Sequence, residues 1–95
     1  MNIMESPKYI QMCRDYLAFS KSELDDLKSS IAQADFKQIH SIGHKIKGTS
    51  GAYRLSDISR AAEKLQQTAD NQNTAGLEPA FNELYKLIEE TLQSL

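Results

Sequence analysis

The sequence predicts an all-α protein, an antiparallel four-helix bundle with a short N-terminal helical or extended segment. Three observations carry that expectation. Apolar residues recur at steps of three and four in four separate blocks, which gathers them into one stripe on each of four helices. No block alternates with period two, the pattern of a half-buried strand. Only two prolines and four glycines interrupt the 95 residues, so long stretches are free of helix breakers. Four amphipathic helices with short connections bury their stripes most simply as a bundle.

A chain of this length suits one domain. The expected organisation is a single domain over 1–95, with an N-terminal segment at 1–7 and helices at about 8–33, 36–52, 55–70 and 77–94. In the first block Ile10, Cys13, Leu17, Leu24, Leu27 and Ile31 form the stripe, with Ser20 filling its gap. Ala34-Asp35 breaks the phase, and Asp35 suits the N-cap of the next helix. There Phe36, Ile39, Gly43, Ile46 and Ser50 share a face, with Ile42 at its edge. Gly51 and Tyr53-Arg54-Leu55 mark its end. The third block carries Leu55, Ile58, Ala62, Leu65 and Ala69. Residues 70–76 are polar and turn-rich, so they read as a loop. The fourth carries Leu77, Phe81, Leu84, Ile88 and Leu92, with Pro79 in its first turn, where a missing N–H costs little.

Composition excludes several classes. Net charge is −2, which gives no basic footprint for nucleic acid or an anionic membrane surface. The single cysteine, Cys13, rules out an internal disulfide framework and a cysteine-based zinc site. It reads as a small buried apolar residue. Met1 to Ser6 hold no apolar run of signal-peptide type. No apolar stretch approaches the roughly 20 residues of a membrane helix. The expected location is the cytoplasm.

The chemically informative stretch is His40 to Gly51. At about 100° per residue, with Ile39, Ile46 and Ser50 defining the core direction, His44 points about 140° away and Gly48 about 180°. Lys47 and Gly51 lie roughly 80° and 120° round on the side of His44. An exposed imidazole is largely neutral at cytoplasmic pH and nucleophilic at one ring nitrogen. Lys47, one turn on, reaches the same patch and can neutralise phosphoryl oxygens. Two glycines would each weaken a helix by roughly 1 kcal/mol relative to alanine. Their place beside a histidine points to the close approach of another protein surface.

His44-Lys45-Ile46-Lys47-Gly48-Thr49-Ser50-Gly51 resembles the signature of the histidine phosphotransfer (HPt) domain family of multistep phosphorelays. That signature is a histidine, any residue, an aliphatic, lysine, glycine, two small residues and often glycine. The resemblance extends to Leu65 and Gln66, where the family has an aliphatic residue and Glu or Gln, and to Asp35 near the start of the signature helix. It departs at Tyr53-Arg54, where family members often have an apolar residue and then glycine. The resemblance implies that His44 accepts a phosphoryl group from a receiver-domain phosphoaspartate and passes it to another receiver aspartate. It further implies that Lys47 and Gln66 stabilise the phosphoryl group and that Gly48 and Gly51 admit the partner. The implied partners are receiver domains of response regulators or of a hybrid sensor histidine kinase. No cofactor is expected on this chain. The divalent metal is expected on the receiver, and no ATP site is expected, so the chain reads as a phosphocarrier and not an enzyme.

Plainer readings stand beside these. His40, one turn before His44, is either a surface neighbour or half of a two-histidine metal pair. Without a nearby carboxylate such a pair makes a weak site, and the expectation is no metal. A phosphate-binding loop is excluded, because no strand precedes the segment and the lysine after the second glycine is absent. Lys45 is a solvated charge or part of a weak positive patch. Gln66 is a surface glutamine or a phosphate contact. Tyr9, Met12, Tyr16 and Phe19 form a second stripe on the first helix. It either packs on the N-terminal segment around Ile3 and Met4 or offers a docking surface, in which case Met12 and Tyr16, with His40 and Lys45, meet the receiver. Two rival functions remain: a helical interaction module that binds receivers without phosphotransfer, and a metal-binding bundle on His40 and His44.

Overall fold

The computed structural model describes residues 6–95. The expected N-terminal segment therefore lies, apart from Ser6 and Pro7, outside the described residues. Four helices follow in order: α1 (Pro7–Gln33), α2 (Phe36–Ala52), α3 (Ser56–Asp70) and α4 (Thr74–Ser94). No strand occurs among the described residues. Each helix packs on the next, and α4 returns to α1, which closes the bundle.

Local chemistry sets the helix starts. The Tyr9 amide donates to Ser6 Oγ at 3.0 Å, with Pro7 just inside the helix, where its missing N–H is no loss. Asp35 accepts from the Gln38 amide at 3.3 Å and so caps α2. Asn73 accepts from the Gly76 amide at 3.2 Å and caps α4. That cap starts α4 at Thr74, three residues before the start its apolar stripe predicts. Pro79 is accordingly not in the first turn but inside the helix. It leaves the Ala75 carbonyl without its helical donor, and Ala75 is exposed, so water can take that place.

The helix ends share one device. The Asp35 amide donates to the Ser30 carbonyl at 2.9 Å and the Ala34 amide to the Ile31 carbonyl at 3.2 Å. Leu55 and Arg54 repeat the pair on Ser50 and Gly51 at 2.8 and 3.0 Å. Asn73 and Gln72 repeat it on Thr68 and Ala69, both at 3.0 Å. These are Schellman motifs, which need a left-handed residue just past the helix, usually glycine. Here that residue is Ala34 (φ 52°), Arg54 (φ 62°) or Gln72 (φ 53°). The glycines are all inside helices instead.

The core is aliphatic. Leu17, Leu24, Ile39, Ile46, Leu65, Leu84 and Ile88 are fully buried, with Cys13 at the edge of this set. Each buried Leu or Ile contributes about 1.5–3 kcal/mol relative to exposure. The stripes fade at the bundle ends, where Ile10, Ile31, Phe36, Leu55 and Leu92 are only partly buried. The α2–α3 contact is the closest. A Cβ on Gly43 would stand 3.2 Å from the Ala62 carbonyl oxygen and from the Gln66 amide nitrogen and Cβ. Buried Ser50 is satisfied through Tyr16, whose hydroxyl lies 3.0 Å from Ser50 Oγ and 3.2 Å from the Ile46 carbonyl. With Tyr16 donating to that carbonyl, Ser50 donates to Tyr16. Ser20 Oγ is buried without a partner.

Candidate functional site

Helix α2 buries Ile39, Gly43, Ile46 and Ser50, and this fixes its rotation about its own axis. His44 is therefore exposed near its middle, and Gly48 is exposed one turn on. A Cβ on Gly48 would meet nothing within 4 Å. One on Gly51 would meet only Ser59 Oγ, at an ordinary 3.6 Å. The ground one turn ahead of His44 is thus open, and Gly51 borders α3.

Three facing pairs line the α2–α3 groove in antiparallel register. Lys47 Nζ lies 3.4 Å from Glu63 Oε1, and both side chains are about two-fifths exposed (40% and 42%). Gly43 abuts the backbone of Gln66. His40 Nδ1 lies 2.6 Å from Asp70 Oδ1. The α2 members step by three and four and run against 63, 66 and 70 on α3, the spacing of residues on one helix face. Gln66 Oε1 is buried without a hydrogen-bond partner, an acceptor left over beside the histidine helix. The Ser59 hydroxyl donates to the Lys47 carbonyl at 2.9 Å and ties the two helices at that turn.

The His40–Asp70 contact decides a tautomer. A carboxylate only accepts, so Nδ1 of His40 carries the proton and Nε2 is the free nitrogen. The rings of His40 and His44 are parallel within 3°, with centroids 6.0 Å apart. Sequence reasoning took His40 as a surface neighbour, half of a histidine pair or a docking residue, and placed neither Asp70 nor Glu63 beside the site. Gln66 was named by the family resemblance; both carboxylates lie one turn on either side of it on the same face of α3. Among the described residues no group of three or more His, Cys, Asp or Glu side chains gathers as a metal site.

A model of the Hpt domain family matches residues 11–95. The chain belongs to the Hpt domain family. Its general role is accordingly histidine phosphotransfer in phosphorelay signalling, as a phosphocarrier rather than a catalyst. No curated protein and no solved structure matches the chain. Among the described residues, no helix of this Hpt domain is long and apolar enough to cross a membrane.

The α1 face of the Hpt domain beside His44 is divided. Met12 and Phe19 are exposed at 45% and 56%. Tyr16 is half-buried, turns its hydroxyl onto α2 and stacks on Tyr53 at 5.1 Å between centroids, so it anchors α1 more than it offers a surface. The Tyr9 hydroxyl donates to the Tyr53 carbonyl. Burial, with the hydrogen bond to Cys13 second, pushes the Tyr9 hydroxyl up to about 12. The stripe expected on α1 thus separates into two tyrosines that hold Tyr53 and two apolar side chains that face solvent. The packing envisaged around Ile3 and Met4 falls outside the described residues. Lys45 is not a free cation: its Nζ sits 2.7 Å from Glu23 Oε2 and 5.1 Å from the Phe19 ring centre.

Proposed function

We propose that this Hpt domain accepts a phosphoryl group on His44 from a receiver-domain phosphoaspartate and hands it to another receiver aspartate. The observation that carries the reading is the exposure of His44 with the open surface at Gly48 one turn ahead. A receiver approaches over Gly48, with Met12 and Phe19 as apolar ground for docking and His40 and Lys45 at its margin. The neutral His44 ring attacks phosphorus in line. The P–O bond to the receiver carboxylate breaks as the P–N bond forms, and the reverse step discharges the group. Lys47 is within reach of the phosphoryl oxygens and exchanges its loose contact with Glu63 for them. Gln66, which faces Gly43 from α3, turns its amide N–H toward the same oxygens.

The reading needs a nucleophile and a cation from this chain and expects no nucleotide site on it, so autophosphorylation is not expected. The divalent metal belongs to the receiver. The partners are receiver domains of response regulators or of a hybrid sensor histidine kinase, not nucleic acid or membrane, and the setting is the cytoplasm. The test is incubation with a phosphorylated receiver. Label should appear on the wild type, lost in acid and kept in base, and His44→Gln should take up none. A His44→Gln chain that still accepts label would move the phosphoryl group to another residue and end the assignment of His44, and a wild type that binds the receiver and never takes label would leave only an interaction module.

A further inference from the structure

We infer that His40, oriented by Asp70, is a second phosphoryl-contacting residue that binds a proton when His44 is loaded; this rests on the phosphocarrier reading above. The groove supplies a donor on each side of His44. Lys47 lies one turn after it and His40 one turn before it, and each is paired with an α3 carboxylate, Glu63 at 3.4 Å and Asp70 at 2.6 Å. Asp70 occupies Nδ1 of His40 and leaves Nε2 unpaired among the described residues, with the parallel ring of His44 6.0 Å away between centroids. The arrangement matches that of a carboxylate that fixes the tautomer and orientation of a histidine ring.

Charge explains why such a group is useful here. A phosphoryl group brings roughly −1.5 to −2 charge at neutral pH. Lys47 is offset by Glu63, and Lys45 is drawn to Glu23 of α1. The titratable and charged groups around His40 are Asp70 from α3 and, on its own helix, Lys37 one turn before and His44 one turn after. Histidine is the side chain that changes charge between about pH 5 and 8, so it can become a cation when the anion arrives and release it when the anion leaves. The transfer itself breaks the P–O bond to the receiver and makes the P–N bond to His44. His40 gains only a proton at Nε2, taken from water, and its N–H donates to a phosphoryl oxygen.

The test uses the full chain with 15N-labelled histidine and phosphoramidate, a small phosphoryl donor that needs no docking surface. Ring-nitrogen resonances are followed from about pH 5 to 9 before and after labelling. With His44 phosphorylated, the proton affinity of His40 should rise roughly tenfold. Asp70→Asn should keep the melting temperature, lose the fixed tautomer and show a smaller rise. His40→Gln should still take label on His44 but with a flatter pH profile of uptake. Label on His44 with an unchanged His40 titration overturns this inference alone. No label on His44 from either phosphoramidate or a phosphorylated receiver overturns it together with the phosphocarrier reading.

Discussion

Lys47 of α2 and Glu63 of α3 face each other across the groove beside His44, with Nζ 3.4 Å from Oε1. Both are substantially exposed, and a pair of that kind is worth only about 0–1 kcal/mol. It holds the lysine near the site without holding it back. Lys47→Ala should slow phosphotransfer roughly ten- to a hundredfold, the equivalent of one charge-assisted contact. Lys47→Arg should recover part, since charge survives but reach and donor geometry change. Glu63→Gln frees the lysine and should speed transfer by up to about fivefold. Single-turnover transfer from a labelled receiver reads all three. A slower Glu63→Gln would make the carboxylate a guide for Lys47 and not a competitor.

Two glycines of α2 should respond oppositely to a side chain. Gly48 has open space where a Cβ would stand, whereas Gly43 would press one against the Ala62 carbonyl at 3.2 Å. Gly48→Leu should raise stability by up to about 1 kcal/mol through helix propensity and still slow transfer, because the new side chain occupies the receiver's approach. Gly43→Ala gains the same propensity, but overpacking costs about 1–3 kcal/mol, so it should melt lower. Melting and transfer rate measured on the same samples decide. Loss of stability in Gly48→Leu would mean the residue packs rather than admits.

Arg54→Gly should stabilise the fold. Arg54 stands at φ 62°, and a side chain in that conformation costs about 1–2 kcal/mol. Glycine avoids the clash and returns part of the gain as backbone entropy, for a net rise of about 0.5–1 kcal/mol. Denaturant midpoints at unchanged slope report it.

The Tyr9 hydroxyl gives an alkaline limit to α1 docking. Its ionisation is pushed from 10.0 up to about 12 in the fold, so the neutral form is favoured there. The stabilisation is complete below pH 10 and is lost as pH rises toward about 12. Tyr9→Phe, which cannot ionise, should flatten that part of the stability profile. Melting temperature against pH for both chains makes the comparison, and parallel profiles would assign the alkaline loss to other groups.

What could be read in the sequence was whatever sits within one helix. Asp35 announces a cap three residues before the amide it binds, and His44, Lys47 and Gly48 fall on one face by phase alone. Contacts made across helices were out of reach of such reasoning. Asp70 is 30 residues from His40 and read as the opening of a loop. Tyr16 looked like one of four members of an apolar stripe, and nothing local reveals that its hydroxyl serves Ser50 and Ile46. The apolar stripe put the start of α4 at Leu77, with Pro79 in its first turn, and the cap at Asn73 starts the helix three residues earlier. Arg54 read as a departure from a glycine pattern. The backbone takes up the glycine's conformation regardless, because two amide-to-carbonyl bonds and the docking of α3 outweigh the strain.

The openness of His44 also sets a clock. His44 stands exposed near the middle of α2, so among the described residues no closing segment has to move before a phosphoryl group is delivered or removed. On the phosphocarrier reading, storage time is then a race between hydrolysis and the next encounter. The signal persists only where receivers are abundant enough to arrive first, and cellular receiver concentration, more than any internal gate, governs how much of it is lost on the way.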